Sequence, residues 1–447
     1  MTYDSICIDA LHNELKIVPT LELFRDGNSL RRFSRDAYNY SPLLCTLLDS
    51  CCADLVARPH NLEGVHAVAE ACARHQVPLT VRGAGTGNYG QSVPLLGGVI
   101  LLMGALQAVR YLNPATGVVT VESGCILQDL DEVLRQQGRQ LRLSPSTWRT
   151  ATVGGFVAGG SSGIGSVRWG FLRDPGHLLG LEIVTLEAKS RRLELSASES
   201  ESLNHAYGTN GIITALTLAT APAEDWQEVA IDCKSWSLML QLAQCYCNGA
   251  LSLQLCTLLD SGIVKYLPQR CGSYSGLHRM LLLVTVDALE TVNRLALDAG
   301  ATFLHVGPES SSRASLRELT WNHTTLHMRA TDPDWTYLQL LLPQPELAVI
   351  EALQYEWGCH MLWHLEAMRQ DGKVRFGAIP VVRWRGVDDL ERLMTRCREL
   401  GILIFNPHVL TVEDGGLGVI DSHQVKAKHR YDPAGLLNPG KLRGWNA

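Results

Sequence analysis

Between Thr152 and Gly170 the chain reads TVGGFVAGGSSGIGSVRWG, and seven of those nineteen residues are glycine. Glycine loses more backbone freedom on folding than any other residue, so this density predicts neither a regular helix nor a regular strand. A stretch so open inside a folded domain is expected where another group approaches the backbone closely. Two more glycine-rich stretches share the same half of the chain: Arg82 to Gln91 (RGAGTGNYGQ) and Gly208 to Thr214 (GTNGIIT), the latter leading into a β-rich run.

The first of these contains a literal G-x-G-x-x-G at Gly85, Gly87 and Gly90. A Rossmann loop needs a helix to begin inside that motif, with its amino end under a pyrophosphate. Here the chain runs on through Ser92-Val93-Pro94 and Gly97-Gly98, where no helix is expected to start. The ribose-binding acid that should follow roughly 20 positions on is missing, Glu122 being the next acid. What remains is a nest of backbone N–H groups able to take positive φ, which binds anionic oxygens without a helix. A tight surface turn is the plainer alternative.

At 447 residues the chain exceeds one ordinary core, so two domains are expected. Residues 1–55 read as a mostly helical lead-in. Residues 56–222 alternate helices and strands, with a helix over Leu62 to His75 on the spacing of Val65, Val68, Ala69 and Cys72. Another helix spans Ile126 to Gln137, with Gly138 placed to stop it. Pro222 to Asp225 reads as a boundary. Residues 223–405 then form strand–helix units, including a strand over Trp335 to Leu342 and helices over Glu346 to Trp357 and Val387 to Leu400. Residues 406–447, rich in Pro and Gly towards the end, are expected to return to the first domain. The net charge of −6 and the lack of any basic stripe argue against nucleic acid. The thirteen cysteines include no C-x-x-C pair, which removes zinc-ribbon and ferredoxin-like spacing and suggests reduced, packed thiols. The opening segment has early acids and no uninterrupted apolar core, and no apolar run spans a membrane, so a soluble cytoplasmic protein is expected, with oligomerisation and peripheral membrane association left open.

In order, the motifs resemble those of the vanillyl-alcohol oxidase / p-cresol methylhydroxylase type of FAD-binding oxidoreductase. The pattern is a strand, RG-x-G-x-x-x-x-G, a strand, [ST]-[IV]-GG about seventy residues on, then G-x-x-GI-[IV]-T. YDPAGLLNPGKL at Tyr431 to Leu442 is similar to the family's closing motif. The resemblance runs from about Arg58 to Pro222 and resumes at the tail, and it looks closest to the D-lactate/glycolate (D-2-hydroxy acid) dehydrogenase branch. It implies an α+β chain: a two-subdomain FAD-binding domain of the p-cresol methylhydroxylase type and an α+β cap domain with an antiparallel sheet. By the same resemblance Arg82, Gly83, Ala84, Gly85, Thr86, Gly87, Asn88 and Gln91 hold the FAD pyrophosphate. Pro145, Ser146, Val153, Gly154, Gly155, Ala158, Gly160, Ser161 and Gly163 line the flavin, and Gly211, Ile212 and Ile213 meet the adenine. Covalent members carry His at the position of Thr86, or Cys where Thr150 and Ala151 stand, so non-covalent FAD is expected.

The branch's H-x-G-D-G-N-x-H and E-H-G-x-G stretches are absent, so no metal site is expected and the substrate is open. His360-Met361-Leu362-Trp363-His364 stands near the first, and Asn406 to Gly416 at the second. Removing hydride from a carbon bearing a hydroxyl calls for a base, and a carboxylate substrate calls for a cation. The candidates are His323 and His327, which share a helix face at i, i+4, with Arg329 beside them, and His408 and Glu413 on the segment joining cap to tail. A hydrogen-bonded histidine pair in a domain interface, and ordinary turn residues, are the competing readings. The expected function is hydride transfer to flavin N5 from a small hydroxy acid of the glycolate or D-lactate kind, or from an alcohol. The electron acceptor is oxygen, a quinone or a partner protein. An oxidase of a sugar, aldehyde or amine on the same fold, or a flavin-binding protein without turnover, are the alternatives.

Overall fold

The helix Leu62–His75 follows the spacing of Val65, Val68, Ala69 and Cys72 and buries all four. Asn61 caps it, its side-chain oxygen accepting from the Gly64 N–H at 3.1 Å. In this computed structural model, which describes residues 5–160, 162–268, 271–273, 275–310 and 313–446, that helix is the crossover of a four-stranded sheet. Leu55–Pro59 and Leu79–Arg82 flank Val99–Leu102, parallel to it on both sides. Leu21–Phe24 adds an antiparallel edge to Leu55–Pro59, so the lead-in supplies a strand as well as helices.

An antiparallel six-stranded sheet follows. The long strand Ile212–Pro222 runs through its centre, between Val118–Glu122 and Leu178–Val184. Its surroundings overturn one expectation. The glycine-rich segment does form a helix, Val153–Gly159. Thr152 caps it, its hydroxyl accepting from the Gly155 N–H at 3.1 Å, and Gly160 closes it at φ 65°. Val153, Phe156 and Val157 recur at three- and four-residue spacing and bury against the sheet, which outweighs the poor propensity of the glycines.

Beyond Pro222 an antiparallel eight-stranded sheet carries the cap. The helices Trp236–Asn248, Leu289–Asp298, Glu346–Trp357 and Val387–Glu399 cover one face. Strand alternation divides His364–Gln370 between the two faces: Leu365 and Ala367 pack under the helices, while Glu366, Met368 and Gln370 turn the other way, to a cavity. The expected strand over Trp335 to Leu342 is two. Trp335–Tyr337 pairs with Val381–Arg383, and Leu340–Leu341 joins the large sheet, with Gln339 at the break facing the cavity. The tail returns to the first sheet: Leu79 donates to the Leu436 carbonyl and accepts from the Asn438 N–H, at 2.9 and 2.7 Å.

Candidate active site

Arg82 ends a buried strand, and its guanidinium lies under the glycine loop, with Nη1 donating to Ser92 Oγ at 3.1 Å. Gly85 takes φ 70°, and a Cβ there would fall 2.0 Å from that guanidinium. A Cβ on Gly83 would fall 2.2 Å from Thr152 Oγ1, so glycine lets the first loop press against the cap of the glycine helix. Behind the loop, Asp36 accepts from the N–H groups of Tyr38 and Ser92 at 3.1 and 3.3 Å, and the Lys441 ammonium donates to the Gly90 carbonyl. Burial pushes the Asp36 carboxyl up to about 6 and the Lys441 ammonium down to about 8, and it lowers Arg82. One anion thus faces two cations beneath a loop suited to phosphate.

The loop, the glycine helix and the cap enclose a cavity of about 600 Å³. Gly83 to Asn88, Gln91, Pro145, Ser146, Gly154, Gly155, Ala158, Gly160, Gly163, Gly211 and Ile213 all line it. Ser161 lies outside the described residues. Three expected residues turn elsewhere. Arg82 supports the loop from below, while Val153 and Ile212 point into the core because their neighbours on each side take the cavity face. The cradle fits FAD. At Gly159 a Cβ would meet only Gln91 Nε2, at 3.9 Å, and at Gly208 only the Val81 side chain, at 4.0 Å, so bare backbone borders open space there.

The catalytic candidates separate. His323 lines the cavity at the first turn of the helix Asn322–Thr331, its pKa lowered chiefly by burial. His327, one turn on, reaches the Glu318 carbonyl at 3.1 Å and does not line the cavity. Arg329 donates to the carbonyls of Pro333 and Trp335 and sits over the Tyr40 ring, so it is not the expected carboxylate clamp. His408 is buried away from the cavity, between the Tyr337 carbonyl at 2.9 Å and Ser41 Oγ at 2.7 Å. Those partners assign a neutral ring with the proton on Nε2, and burial pushes its pKa down to about 4. Glu413 accepts from the backbone of Arg443 and Gly444 and ties down the tail. The two residues on the joining segment are therefore structural: the segment is packed between domains, and sequence cannot tell a packed loop from an exposed one.

Sequence reasoning missed Glu366. Its Oε1 accepts from the Trp321 N–H at 2.8 Å and His364 Nε2 at 2.7 Å, and its Oε2 accepts from Thr257 Oγ1 at 2.6 Å. The available signal was an acid alternating with apolar residues in a strand pattern, a position that is normally apolar. Tyr89, Asn322 and Gln339 also face the cavity and carry no comparable signal.

Residues 53–194 match the family described as an FAD binding domain. The chain is similar to glycolate oxidase subunit GlcD of Escherichia coli (strain K12), 24% identical over 461 residues, which span 95% of this chain and 89% of the relative. It is similar also to a mitochondrial D-2-hydroxyglutarate dehydrogenase of Danio rerio, 28% identical over 44% of this chain and 38% of the relative. Its fold is that of an alkyldihydroxyacetonephosphate synthase, with TM-score 0.74 and 16% identity over 97% of this chain and 85% of the other. A 4-ethylphenol oxidase from Gulosibacter chungangensis shares it, with TM-score 0.69 and 17% identity over 98% and 97%. The chain is therefore an FAD-dependent oxidoreductase with an FAD-binding domain of the p-cresol methylhydroxylase type, related over nearly its whole length to the glycolate oxidase subunit.

Proposed function

We propose that the protein oxidises the CH–OH group of a small alcohol or hydroxy acid to a carbonyl. The observation that carries this reading is the continuity of one cavity, from glycine loops that fit a nucleotide cofactor to a cap face that presents His323. FAD, when bound, supplies the acceptor for the hydride lost from the donor carbon. His323 receives the hydroxyl proton as that hydride leaves. Burial favours its uncharged imidazole, the form able to accept. Asn322 and Gln339 offer neutral hydrogen bonds that orient the donor, and the cap forms one wall of the site.

The test is anaerobic mixing of the flavin-loaded protein with hydroxy acids, alcohols and sugars, followed by the flavin absorbance. Bleaching by at least one hydroxyl donor is expected. His323→Asn should slow it by roughly 10²–10⁴-fold with FAD content unchanged. A flavin that no donor reduces would favour a binding protein without turnover, and an undiminished rate in the variant would remove His323 from the role.

A further inference from the structure

The cavity face of the cap is acidic where a carboxylate substrate would require a cation. Glu366 is only 1% exposed, yet it lines the cavity, and its polar contacts are Thr257 on the neighbouring strand, the Trp321 N–H at a helix start and His364 on its own strand. That surrounding accommodates an ionised carboxylate with both oxygens held in place. Gly377, its partner in register on the next strand, has no side chain, and the end of Met368 occupies the space a Cβ would take there. Oε2 accepts one bond and has capacity for a second, from a ligand hydroxyl.

The ionisable partner of Glu366 is His364, on the same strand face, whose Nε2 lies 2.7 Å from Oε1 and which offsets the charge only when protonated. Among the described residues lining the cavity, the one arginine is Arg173, which pairs with Asp421 at 3.4 Å. Its neighbour Asp174 sits against Gly170, and Gly170 sits against the Arg369 carbonyl. This places the backbone around Arg173 at the Gln370 end of the strand. The amino end of the helix Asn322–Thr331, whose preceding N–H at Trp321 reaches Glu366, offsets only part of a unit charge.

Resting on the oxidoreductase reading above, we infer that the substrate is an uncharged alcohol and that Glu366 is a specificity-determining residue that turns carboxylates away. A donor hydroxyl satisfies the open lone pair of Glu366, whereas a carboxylate brings like charge into a partly enclosed space beside it. The class expected is a neutral alcohol or diol, not the hydroxy acids named in the relatives.

The matched pair D-lactamide and D-lactate tests this, because the two share a skeleton and a hydroxyl and differ in charge. Binding is read as the perturbation of the absorbance of the bound flavin, without turnover, in the full-length protein. D-lactamide should bind at least roughly tenfold more tightly than D-lactate, as for like charges at close range in part offset by the helix end. Glu366→Gln, of equal size and still able to accept from Trp321 and His364, should bring the ratio near one. Met368→Lys, on the same strand face, should also admit D-lactate and covers the case in which the first variant does not fold. Equal or tighter binding of D-lactate by the wild type, its reduction of the flavin, a ratio unmoved in both variants, or no binding of D-lactamide each overturns the inference. If the charge preference holds but no hydroxyl donor bleaches the flavin, the exclusion of carboxylates by Glu366 stands, while the oxidoreductase reading and the assignment of an alcohol substrate fall.

Discussion

His408 and His323 show how far one side chain's role depends on what surrounds it. His408 is buried with partners on both ring nitrogens, while His323 is half-buried and lines the cavity. The pKa of His408 lies at about 4 in the folded protein, against 6.5 for the exposed group. Below 6.5 the unfolded chain takes a proton that the folded one refuses, so stability is present above that pH and is lost as pH falls towards 4. The wild type should therefore lose about 2 kcal/mol through this residue alone between pH 7 and pH 5. His408→Asn should be less stable at pH 7 by about 1–3 kcal/mol, through lost buried hydrogen bonds, yet less sensitive to acid. Denaturant titrations of both proteins at the two pH values check this, and identical slopes against pH would refute it.

At the scale of the element, the glycine helix is the informative case. Valine and phenylalanine at helical spacing, with threonine at the cap, were all visible in Thr152 to Gly160, and the glycine content masked them. Gly155→Asp tests its role. An acid in the first turn suits a helix amino end, so thermal stability without cofactor should hardly change. The same carboxylate would enter the cavity where the cofactor's phosphates and flavin are expected, and FAD content after purification should fall at least roughly tenfold through like-charge repulsion. Full flavin content in that variant would remove this helix from the cofactor site. The Trp335–Tyr337 and Leu340–Leu341 strands carry a different lesson: a continuous apolar run does not reveal that its two ends serve different sheets.

For the whole molecule, two expectations concern what is and is not bound. Thr86 faces the cavity and Thr150 stands beside the cavity-lining Ala151, and neither threonine side chain can bond to a flavin. FAD should therefore leave the protein on acid or heat denaturation, and yellow colour retained in the precipitate would show a covalent link. Among the described residues no three His, Cys, Asp or Glu side chains stand together as a metal site. Turnover should accordingly survive EDTA, and a loss restored by zinc or manganese would disprove that. No helix among the described residues is long and apolar enough to cross a membrane.

The sequence by itself determined what depends on neighbours along the chain. Helix spacing at Leu62 to His75, the glycine loops that bare their backbone, and the tail motif were legible because period and backbone freedom are local properties. Only the tertiary structure decided which polar residues meet. Thr257, Trp321, His364 and Glu366 come from two neighbouring strands and a helix start up to 109 positions apart, and their encounter depends on strand register. Burial did the rest, leaving His323 at the cavity and locking His408 into the domain packing, because a histidine's chemistry is set by its solvent and its partners, and neither is written in the adjacent residues.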